Sequence, residues 1–192
     1  MGKKELDETI KKFIEKAYPD QSGQMVLGEG KTLRPLMMLI GEAPGAQEVV
    51  EKKPFVGKAG KNLDVFLKEI HLSREELYVT NAVKFRPTKQ GKRTLVNRTP
   101  TRKEIKDFVP YLHEEIDLIQ PRTVVTLGNS PLYALTGEGN IGECHGIPVK
   151  ITIDNKKYPL FPLYHPAAII YNQALKAVYQ EDVEKLFRWL SL

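Results

Sequence analysis

Apolar positions recur along this chain in two patterns, and the order of the two patterns predicts the fold class. Four segments repeat apolar residues at helical spacing, and a helix is expected over each of them. The members are Leu6, Ile10, Phe13 and Ala17; Leu63, Phe66, Leu67 and Ile70; Ile105, Phe108, Leu112, Ile116 and Ile119; and Tyr179, Val183, Leu186 and Leu190. Short runs at 36–40, 77–83, 123–127 and 160–164 are typical of strands. This alternation predicts an α/β fold, a three-layer α/β/α sandwich with a mainly parallel central sheet.

Capping and turn residues set the limits of several predicted elements. Thr101 and Glu104 form a capping-box pattern, so a helix should begin there. Pro110 lies within the same helical stretch and should kink that helix or shift its true start. Residues 154–155, Asp-Asn, favour a hairpin that leads into the last strand. No linker or repeat divides the chain, which predicts a single domain over residues 1–192.

Composition limits the class of protein. Hydrophobic residues make up 41% and charged residues 28%, which is ordinary for a globular domain. The charged N-terminal segment lacks the apolar stretch of a signal peptide, and no apolar run approaches the ~20 residues that span a bilayer. We therefore expect a cytoplasmic protein with no membrane partner. The single cysteine, Cys144, excludes an internal disulfide and a cysteine-held metal cluster, and a structural role is expected for it.

Positive charge is concentrated in one stretch, residues 84–106. The chain carries a net charge of +5, whereas this stretch alone carries +8 because only Glu104 opposes its cations. The cations are Lys84, Arg86, Lys89, Lys92, Arg93, Arg98, Arg102, Lys103 and Lys106. A basic stretch on a near-neutral body indicates a surface that binds a polyanion. A solubilising loop would have the same composition, and charge alone does not distinguish nucleic acid from an acidic protein.

Polar residues lie at or just after the carboxyl ends of several predicted strands. They are Glu42 in Gly-Glu-Ala-Pro-Gly, Asn81, the run Gly128-Asn129-Ser130, and His165. Because parallel strands end at one edge of a sheet, and open α/β sheets bind ligands there, these residues should meet at one site. Each also has an ordinary structural explanation: a solvated loop glutamate, a turn asparagine, or a buried structural histidine.

Five motifs, taken in order, resemble those of the uracil-DNA glycosylase superfamily. They are GEAPGAQE, KPFVGKAG, VTNAVKFRP, VVTLGNS and HPAA, and the similarity spans roughly residues 27–186. The pattern is most similar to the family-4 enzymes of bacteria and archaea. The resemblance implies a monofunctional hydrolase that flips uracil out of DNA and breaks its N-glycosidic bond. It implies DNA as the partner, single- or double-stranded, and a monomer that needs no cofactor and no metal in catalysis.

The resemblance also implies roles for the residues of the reaction. Glu42 matches the glutamate that positions or activates the attacking water. His165 matches the histidine that hydrogen-bonds O2 of the departing uracil. Ala43 stands where other branches of the superfamily place a catalytic aspartate.

A second group of matched residues would hold the base. Phe55 matches the stacking aromatic, and Asn81 the amide that reads the O4 and N3–H edge of uracil. Gly41 and Ala43 belong to the same base-binding turn. Glu48 matches a glutamate thought to crowd the 5-position and so exclude thymine.

DNA contacts are implied at three places in the chain. Lys84 and Arg86 belong to the basic stretch described above. Backbone N–H groups of Gly128, Asn129 and Ser130 at a helix start could bind a phosphate. Pro166 and Ala167, with the apolar residues 169–171, resemble the loop that enters DNA beside the flipped base.

The chain departs from family 4 in several positions. Family-4 enzymes typically hold a four-cysteine iron–sulfur cluster, whereas Phe85 and Phe108 stand at two places where the family has cysteine. We expect aromatic packing to fill that space and to anchor the basic stretch. Ala167 replaces the usual serine, and Tyr171 stands where basic residues are common.

Other functions remain open from the sequence. One is a glycosylase for another deaminated base, such as hypoxanthine or xanthine. Another, motivated by the missing cluster and by Ala167, is a protein that binds damaged DNA without turnover. A nucleotide-binding Rossmann-type domain has little support, because neither of its glycine-rich phosphate motifs is present.

Overall fold

The computed structural model describes residues 1–172 and 174–190. The strands are β1 (Glu29–Gly30), β2 (Met37–Gly41), β3 (Leu77–Asn81), β4 (Thr88–Gln90), β5 (Leu95–Asn97), β6 (Thr123–Leu127), β7 (Val149–Ile153) and β8 (Lys156–Leu163). The helices are α1 (Lys3–Ala17), α2 (Ala46–Glu51), α3 (Lys58–Glu69), α4 (Arg102–Ile119), α5 (Asn129–Thr136), α6 (Ile141–Cys144), α7 (Pro166–Tyr171) and α8 (Leu175–Leu190). Short 3₁₀ helices cover Pro19–Gln24 and Arg74–Glu76.

Six of the strands form one sheet in the order β1-β3-β2-β6-β8-β7. The four central strands are parallel, while β1 and β7 pair antiparallel at the two edges. From β2 the chain proceeds to β3 on one side and later returns to β6 on the other. The carboxyl ends of β2 and β6 therefore form the switch point at which this kind of sheet binds ligands.

Helices cover both faces of the sheet, because the central strands are apolar on both. Along β2, Met38 and Ile40 belong to a core shared with α1 and α4, while Met37 and Leu39 belong to a core shared with α3 and α8. All four side chains are fully buried. The predicted three-layer α/β/α sandwich with a mainly parallel sheet is confirmed.

The predicted capping box and hairpin agree with the structure, whereas the expected shift of the helix start by Pro110 is not seen. Helix α4 begins after Thr101, whose hydroxyl accepts the Glu104 N–H, and it continues without interruption through Pro110. Proline inside the stretch therefore shifts neither the start nor the end of this helix. Residues 154–155 both adopt positive φ, +46° and +64°, in the turn between β7 and β8. The predicted hairpin is confirmed.

Three details differ from the sequence prediction. In α1 the third buried position is Ile14, whereas Ala17 is exposed at the last turn. Strand β8 begins at Lys156, earlier than expected, because it pairs along the whole of β7. The basic stretch, for which the sequence pattern predicts no strand, contains the antiparallel hairpin of β4 and β5. Among the described residues, no helix is both long and apolar enough to cross a membrane.

Candidate active site

A cavity of about 1020 Å³ opens at the carboxyl ends of the parallel strands. Most of the residues predicted for the site line it. These are Glu42, Ala43, Glu48, Phe55, Asn81, Gly128, Asn129, Ser130, His165 and Ala167. A carboxylate, an aromatic ring, an amide and an imidazole that lie far apart in the sequence therefore share one cavity.

Glu42 follows β2 and places its carboxylate at the switch point of the sheet. The Ser130 hydroxyl, in the first turn of α5, donates a 2.6 Å hydrogen bond to Oε2 of Glu42. Among the described residues, no other group donates a hydrogen bond to this carboxylate. Burial raises the pKa of the Glu42 carboxyl above its ordinary value, and the bond from Ser130 offsets part of that rise. The carboxylate is thus a stronger base than a solvated one and is held by a single contact.

His165 caps the N-terminus of α7 and is held in one tautomer. Its Nδ1 accepts the backbone N–H of Ala167 at 3.1 Å. A ring nitrogen that accepts a hydrogen bond carries no proton, so the neutral ring carries its proton on Nε2. Burial lowers the pKa of His165 to about 4, so the ring is neutral at neutral pH. The site therefore contains an uncharged N–H donor.

Asn81 lies at the end of β3, directly opposite Gly41 in the parallel register. Its side chain lines the cavity although the residue is only 3% exposed. Within the described part of the chain, the Asn81 amide has no protein hydrogen-bond partner, so its donor and acceptor remain for a ligand. A Cβ atom at Gly41 would lie 2.5 Å from Oδ1 of Asn81 and 2.4 Å from Cζ of Phe55. Glycine is required there because both groups pack over the strand end.

The Phe55 ring forms one wall of the cavity and is fixed by its own backbone. Phe55 has a φ of +54°, which is uncommon for an aromatic residue. Arg74 holds this conformation by donating from Nη2 to the Phe55 carbonyl at 2.6 Å, while its Nε binds Asp64 at 2.6 Å. The ring lies at 29° to the His165 imidazole, with 6.0 Å between the ring centroids.

Glu48 lines the cavity but both of its carboxylate oxygens bind backbone amides. Oε1 accepts the N–H groups of Val56 and Gly57 at 3.1 and 2.7 Å, and Oε2 accepts the Gly45 N–H at 3.1 Å. Glu48 thus joins the start of α2 to the loop that carries Phe55. This positioning contact was not foreseen from the sequence, and the exclusion of thymine by Glu48 stays a prediction.

The turn after β6 differs in part from its prediction as a phosphate-binding site. The Gly128 N–H donates to the Leu163 carbonyl at 2.8 Å and is not free for a phosphate, which corrects that prediction. Oδ1 of Asn129 accepts the Ile141 N–H at 2.8 Å, and the Ser130 hydroxyl binds Glu42. Backbone N–H groups in the first turn of a helix have no intrahelical partner, so a phosphate contact by Asn129 and Ser130 stays a prediction.

Lys84 does not belong to the basic surface, and this corrects its prediction as a DNA-binding residue. Its side chain is 0% exposed and its ammonium lies 2.5 Å from Oε2 of Glu115. Arg98 is also neutralised, because both of its terminal nitrogens bind Glu104 at 2.7 Å. Arg86 is partly exposed and donates from Nε to Oδ1 of Asn97 in β5 at 2.6 Å.

Exposed cations of the basic stretch lie in two places: on the β4–β5 hairpin beside the cavity, and in the first turns of α4, where Arg102, Lys103 and Lys106 are exposed. Lys89, Lys92 and Arg93 are exposed on the hairpin, while Asn97 lines the cavity. The second predicted DNA element, the His-Pro loop, forms α7. Pro166 is buried at its first position, so a direct contact between its side chain and DNA is not supported.

Ala167 lines the cavity in the same helix, and Ile169 packs partly buried against the core. The side chains of Ile170 and Tyr171, for which DNA contacts were also expected, lie outside the described part of the structure.

Comparison with known proteins identifies the family. The family model of the uracil DNA glycosylase superfamily matches residues 27–190, which is most of the chain. This chain belongs to that superfamily. The matched range includes all eight strands given above and every residue that lines the cavity.

Several curated superfamily members are similar over most of their length. The type-4 uracil-DNA glycosylase of Saccharolobus solfataricus is 41% identical over 172 residues, covering 86% of this chain and 76% of that protein. That of Sulfurisphaera tokodaii is 39% identical, covering 78% and 68% respectively. That of Pyrobaculum aerophilum is 33% identical, covering 93% and 85%.

A four-cysteine cluster does not fit this member of the superfamily. The chain has one cysteine, and the described residues contain no group of three His, Cys, Asp or Glu side chains that could hold a metal ion. Phe85 and Phe108, which the resemblance matched to two family cysteines, are fully buried with ring centroids 5.8 Å apart. Tyr18 and Phe13 pack against them at 4.9 and 5.4 Å.

The expected aromatic packing is therefore present at these positions. The contact of Tyr18 with Phe85 connects the N-terminal segment to the start of the basic stretch. An isolated antiparallel backbone bridge between Met25 and Phe85 makes the same connection. Cys144 lies at the end of α6, where burial raises the pKa of its thiol and disfavours a reactive thiolate.

Two contributors to the glycosylase-like site could not be found from sequence motifs. Arg74 lies outside all five motifs. Its salt bridge to Asp64 is not within one helix, so no regular sequence spacing predicts that pair. Ser130 was singled out, but for a phosphate rather than for Glu42. Its position after a strand end was the available signal, because residues after neighbouring parallel strands meet at one edge.

Proposed function

We propose that this protein is a uracil-DNA glycosylase, a hydrolase that removes uracil from DNA and so initiates base excision repair. The observation that carries the proposal is the meeting of Glu42, Phe55, Asn81 and His165 in one cavity at the switch point of the sheet. The relatives described above are named for this activity. The four side chains supply what the reaction requires: a base-recognising amide, a stacking ring, a donor for the leaving group and a carboxylate for water.

Base recognition rests on the Asn81 amide. Its NH₂ group can donate to O4 of a flipped uracil while its carbonyl accepts N3–H, with the base stacked on Phe55. Cytosine presents a donor and an acceptor in the opposite order. A cytosine in this cavity would leave buried polar groups unpaired, at a cost of ~1–3 kcal/mol for each group.

Bond cleavage rests on His165 and Glu42. When the bond between C1′ and N1 breaks, its electron pair leaves with uracil and negative charge develops on O2. The neutral Nε2–H of His165 can donate a hydrogen bond to that oxygen, where a preorganised donor stabilises developing charge. A water held by the Glu42 carboxylate attacks C1′ and loses its proton to that carboxylate. The uracil anion then takes up a proton from solvent and Glu42 returns its own, which leaves free uracil and an abasic site with no covalent enzyme intermediate.

The direct test is a panel of oligonucleotides that each contain one modified base. Uracil, hypoxanthine and xanthine are placed in single- and double-stranded DNA, and abasic sites are measured after incubation with excess protein. Abasic sites in the uracil substrates are expected. Release of only hypoxanthine or xanthine would indicate a glycosylase for another deaminated base. Tight binding with intact DNA would indicate a damage-binding protein without turnover.

The acid limb of the pH–rate profile should depend on Ser130. Glu42 must be ionised to accept a proton, so excision should fall as pH falls through its raised pKa and should stay level above it. Ser130→Ala removes the bond that lowers this pKa, so the acid limb should move to higher pH. Ser130→Thr keeps a hydroxyl and should leave the limb near its wild-type position. Single-turnover rates across pH check this, and an unmoved limb in Ser130→Ala would contradict it.

DNA binding is proposed to use the exposed cations of the β4–β5 hairpin and Arg86, with the protein acting as a monomer. Each phosphate that a cation neutralises contributes about −0.9 to the slope of log K against log salt on duplex DNA. Changing Lys89, Lys92 and Arg93 to glutamine should therefore make the slope shallower by up to about 3. Fluorescence anisotropy over a salt series measures it.

A matched control changes the same residue types at the other end of the parallel strands. Lys31, Arg122 and Lys157 are exposed near the amino ends of the parallel strands, away from the cavity. Their change to glutamine alters net charge equally and should leave the slope nearly unchanged. Equal slopes for the two triple variants would place the DNA elsewhere.

A further inference from the structure

A buried ion pair contacts the backbone of Asn81, the residue that carries the base-recognising amide. The Lys84 ammonium and the Glu115 carboxylate are 2.5 Å apart, with side chains 0% and 1% exposed. Burial of two charges is costly, and an apolar pair of similar volume is often as stable or more stable. Stability alone is therefore a weak explanation for an ion pair at this place.

The hydrogen bonding of this pair is complete. The three N–H groups of the ammonium have three acceptors: Oγ1 of Thr80 at 2.6 Å, the Asn81 carbonyl at 2.8 Å and Oε2 of Glu115 at 2.5 Å. Glu115 also accepts the Tyr78 hydroxyl at 2.6 Å. These contacts connect α4 to Tyr78, Thr80 and Asn81 of β3. One of them, from the Lys84 ammonium, reaches the carbonyl of Asn81, the last residue of that strand.

The network is also closed on its outer side. A Cβ atom at Gly28 would lie 2.5 Å from the Tyr78 hydroxyl and 2.6 Å from Oε1 of Glu115. No side chain fits between that backbone and the network. The acceptors around Lys84 consequently have little room to move.

The Asn81 carbonyl is the link between this network and the cavity. After Asn81 the chain leaves β3, although Ala82 and Val83 still donate to the carbonyls of Gly41 and Glu42. The ammonium of Lys84 fixes the Asn81 peptide, from which the recognising amide extends by only two torsions. Because that amide has no protein partner within the described chain, its position depends on this peptide and on its packing against Gly41.

We propose that Lys84 and Glu115 are positioning residues that aim the Asn81 amide at the uracil edge, an inference that rests on the proposed function. Loss of the pair would leave the fold and DNA binding intact but would weaken recognition of the base. The effect would pass through Asn81 and would disappear when that side chain is absent.

The test uses a double variant, Lys84→Met with Glu115→Gln, in the full chain. Methionine removes the ammonium at similar volume, while glutamine still accepts the Tyr78 hydroxyl. The readouts are the inhibition constant of free uracil, the single-turnover excision rate at saturating enzyme, and affinity for an abasic oligonucleotide. Uracil inhibition and excision should each weaken by about 5- to 100-fold, the range for one lost buried hydrogen bond, with abasic-DNA affinity unchanged.

A double-mutant cycle separates positioning from stability. In an Asn81→Ala background, the pair variant should cause no further loss of uracil inhibition. Ile14→Ala, a core change in α1, serves as a control that lowers stability without touching the site and should leave uracil inhibition unchanged. Wild-type uracil inhibition in the pair variant would overturn the inference. An equal loss in both backgrounds would also overturn it.

Two safeguards keep the outcome interpretable. Folding of the double variant is judged by circular dichroism and thermal unfolding. If it does not fold, Glu115→Gln alone, which replaces one carboxylate oxygen by NH₂, takes its place. Wild-type uracil inhibition in that variant, or an equal loss with and without Asn81, would likewise overturn the inference. An inactive wild type on uracil-containing DNA would contradict the proposed function itself. An active wild type with an unaffected pair variant would contradict only the role of Lys84 and Glu115.

Discussion

Glu42→Gln should lower the single-turnover rate of uracil excision by about 10²- to 10⁴-fold, the usual contribution of a general base. Glutamine has nearly the same shape and can still accept the hydrogen bond of Ser130, so the loss reports the charge rather than the packing. The variant cannot take a proton from water or stabilise positive charge on the sugar. Its residual rate should also lose the acid limb expected for the wild type, because that limb reports the ionisation of Glu42.

The matched control for this change is Glu51→Gln, an exposed glutamate at the end of α2. It alters the net charge equally and should leave the rate near that of the wild type. Affinity for uracil-containing DNA should be similar in all three proteins. A wild-type rate for Glu42→Gln would show that Glu42 takes no part in the chemical step.

His165→Ala should reduce the excision rate by about 10²- to 10³-fold, as for the loss of one preorganised donor to a developing oxyanion. The lost contact is made most strongly in the transition state, so the rate of the chemical step should fall more than DNA affinity. Between about pH 5 and pH 9 the ratio of wild-type to variant rates should be constant. The reason is that the pKa of His165 is lowered to about 4, which keeps the wild-type ring neutral over that range.

A substrate with a better leaving group provides the check on this role. The anion of 5-fluorouracil is more stable than that of uracil, so its departure depends less on a hydrogen-bond donor from the enzyme. His165→Ala should therefore lose less of its rate on an oligonucleotide with 5-fluorouracil than on one with uracil. His71→Ala, at an exposed position after α3, is the control variant and should behave like the wild type on both bases. Equal losses on the two substrates would mean that His165 does not act on the leaving group.

The site was largely predictable where the sheet itself determines position. Asn81 ends a strand, and Glu42 and His165 each lie shortly after one. Parallel strands bring their carboxyl ends to one edge, so the proximity of these residues follows from the strand pattern. The family motifs then added the roles. The layers of the sandwich were equally predictable, because continuous apolar strands require cover on both faces.

The remaining features depend on contacts between positions that no local pattern relates. Lys84 has the sequence context of a surface cation, and only the packing of α4 brings Glu115, 31 residues away, against it. The β4–β5 hairpin lacks apolar alternation, so its polar sequence resembled a loop. From the sequence, Glu48 resembles a solvated acid in a loop, yet three backbone N–H groups donate hydrogen bonds to its carboxylate.

The clamp on Phe55 has a consequence for how tightly a base can be held. The Phe55 ring is attached to a left-handed backbone that Arg74 holds, so this backbone is already fixed in the folded chain. Under the proposed function, a base stacked on this ring would meet a surface with little freedom left to lose, so more of the stacking attraction would be retained as affinity. The neighbouring Gly60 takes part in this, because a methyl group there would overlap the clamped carbonyl at 1.8 Å.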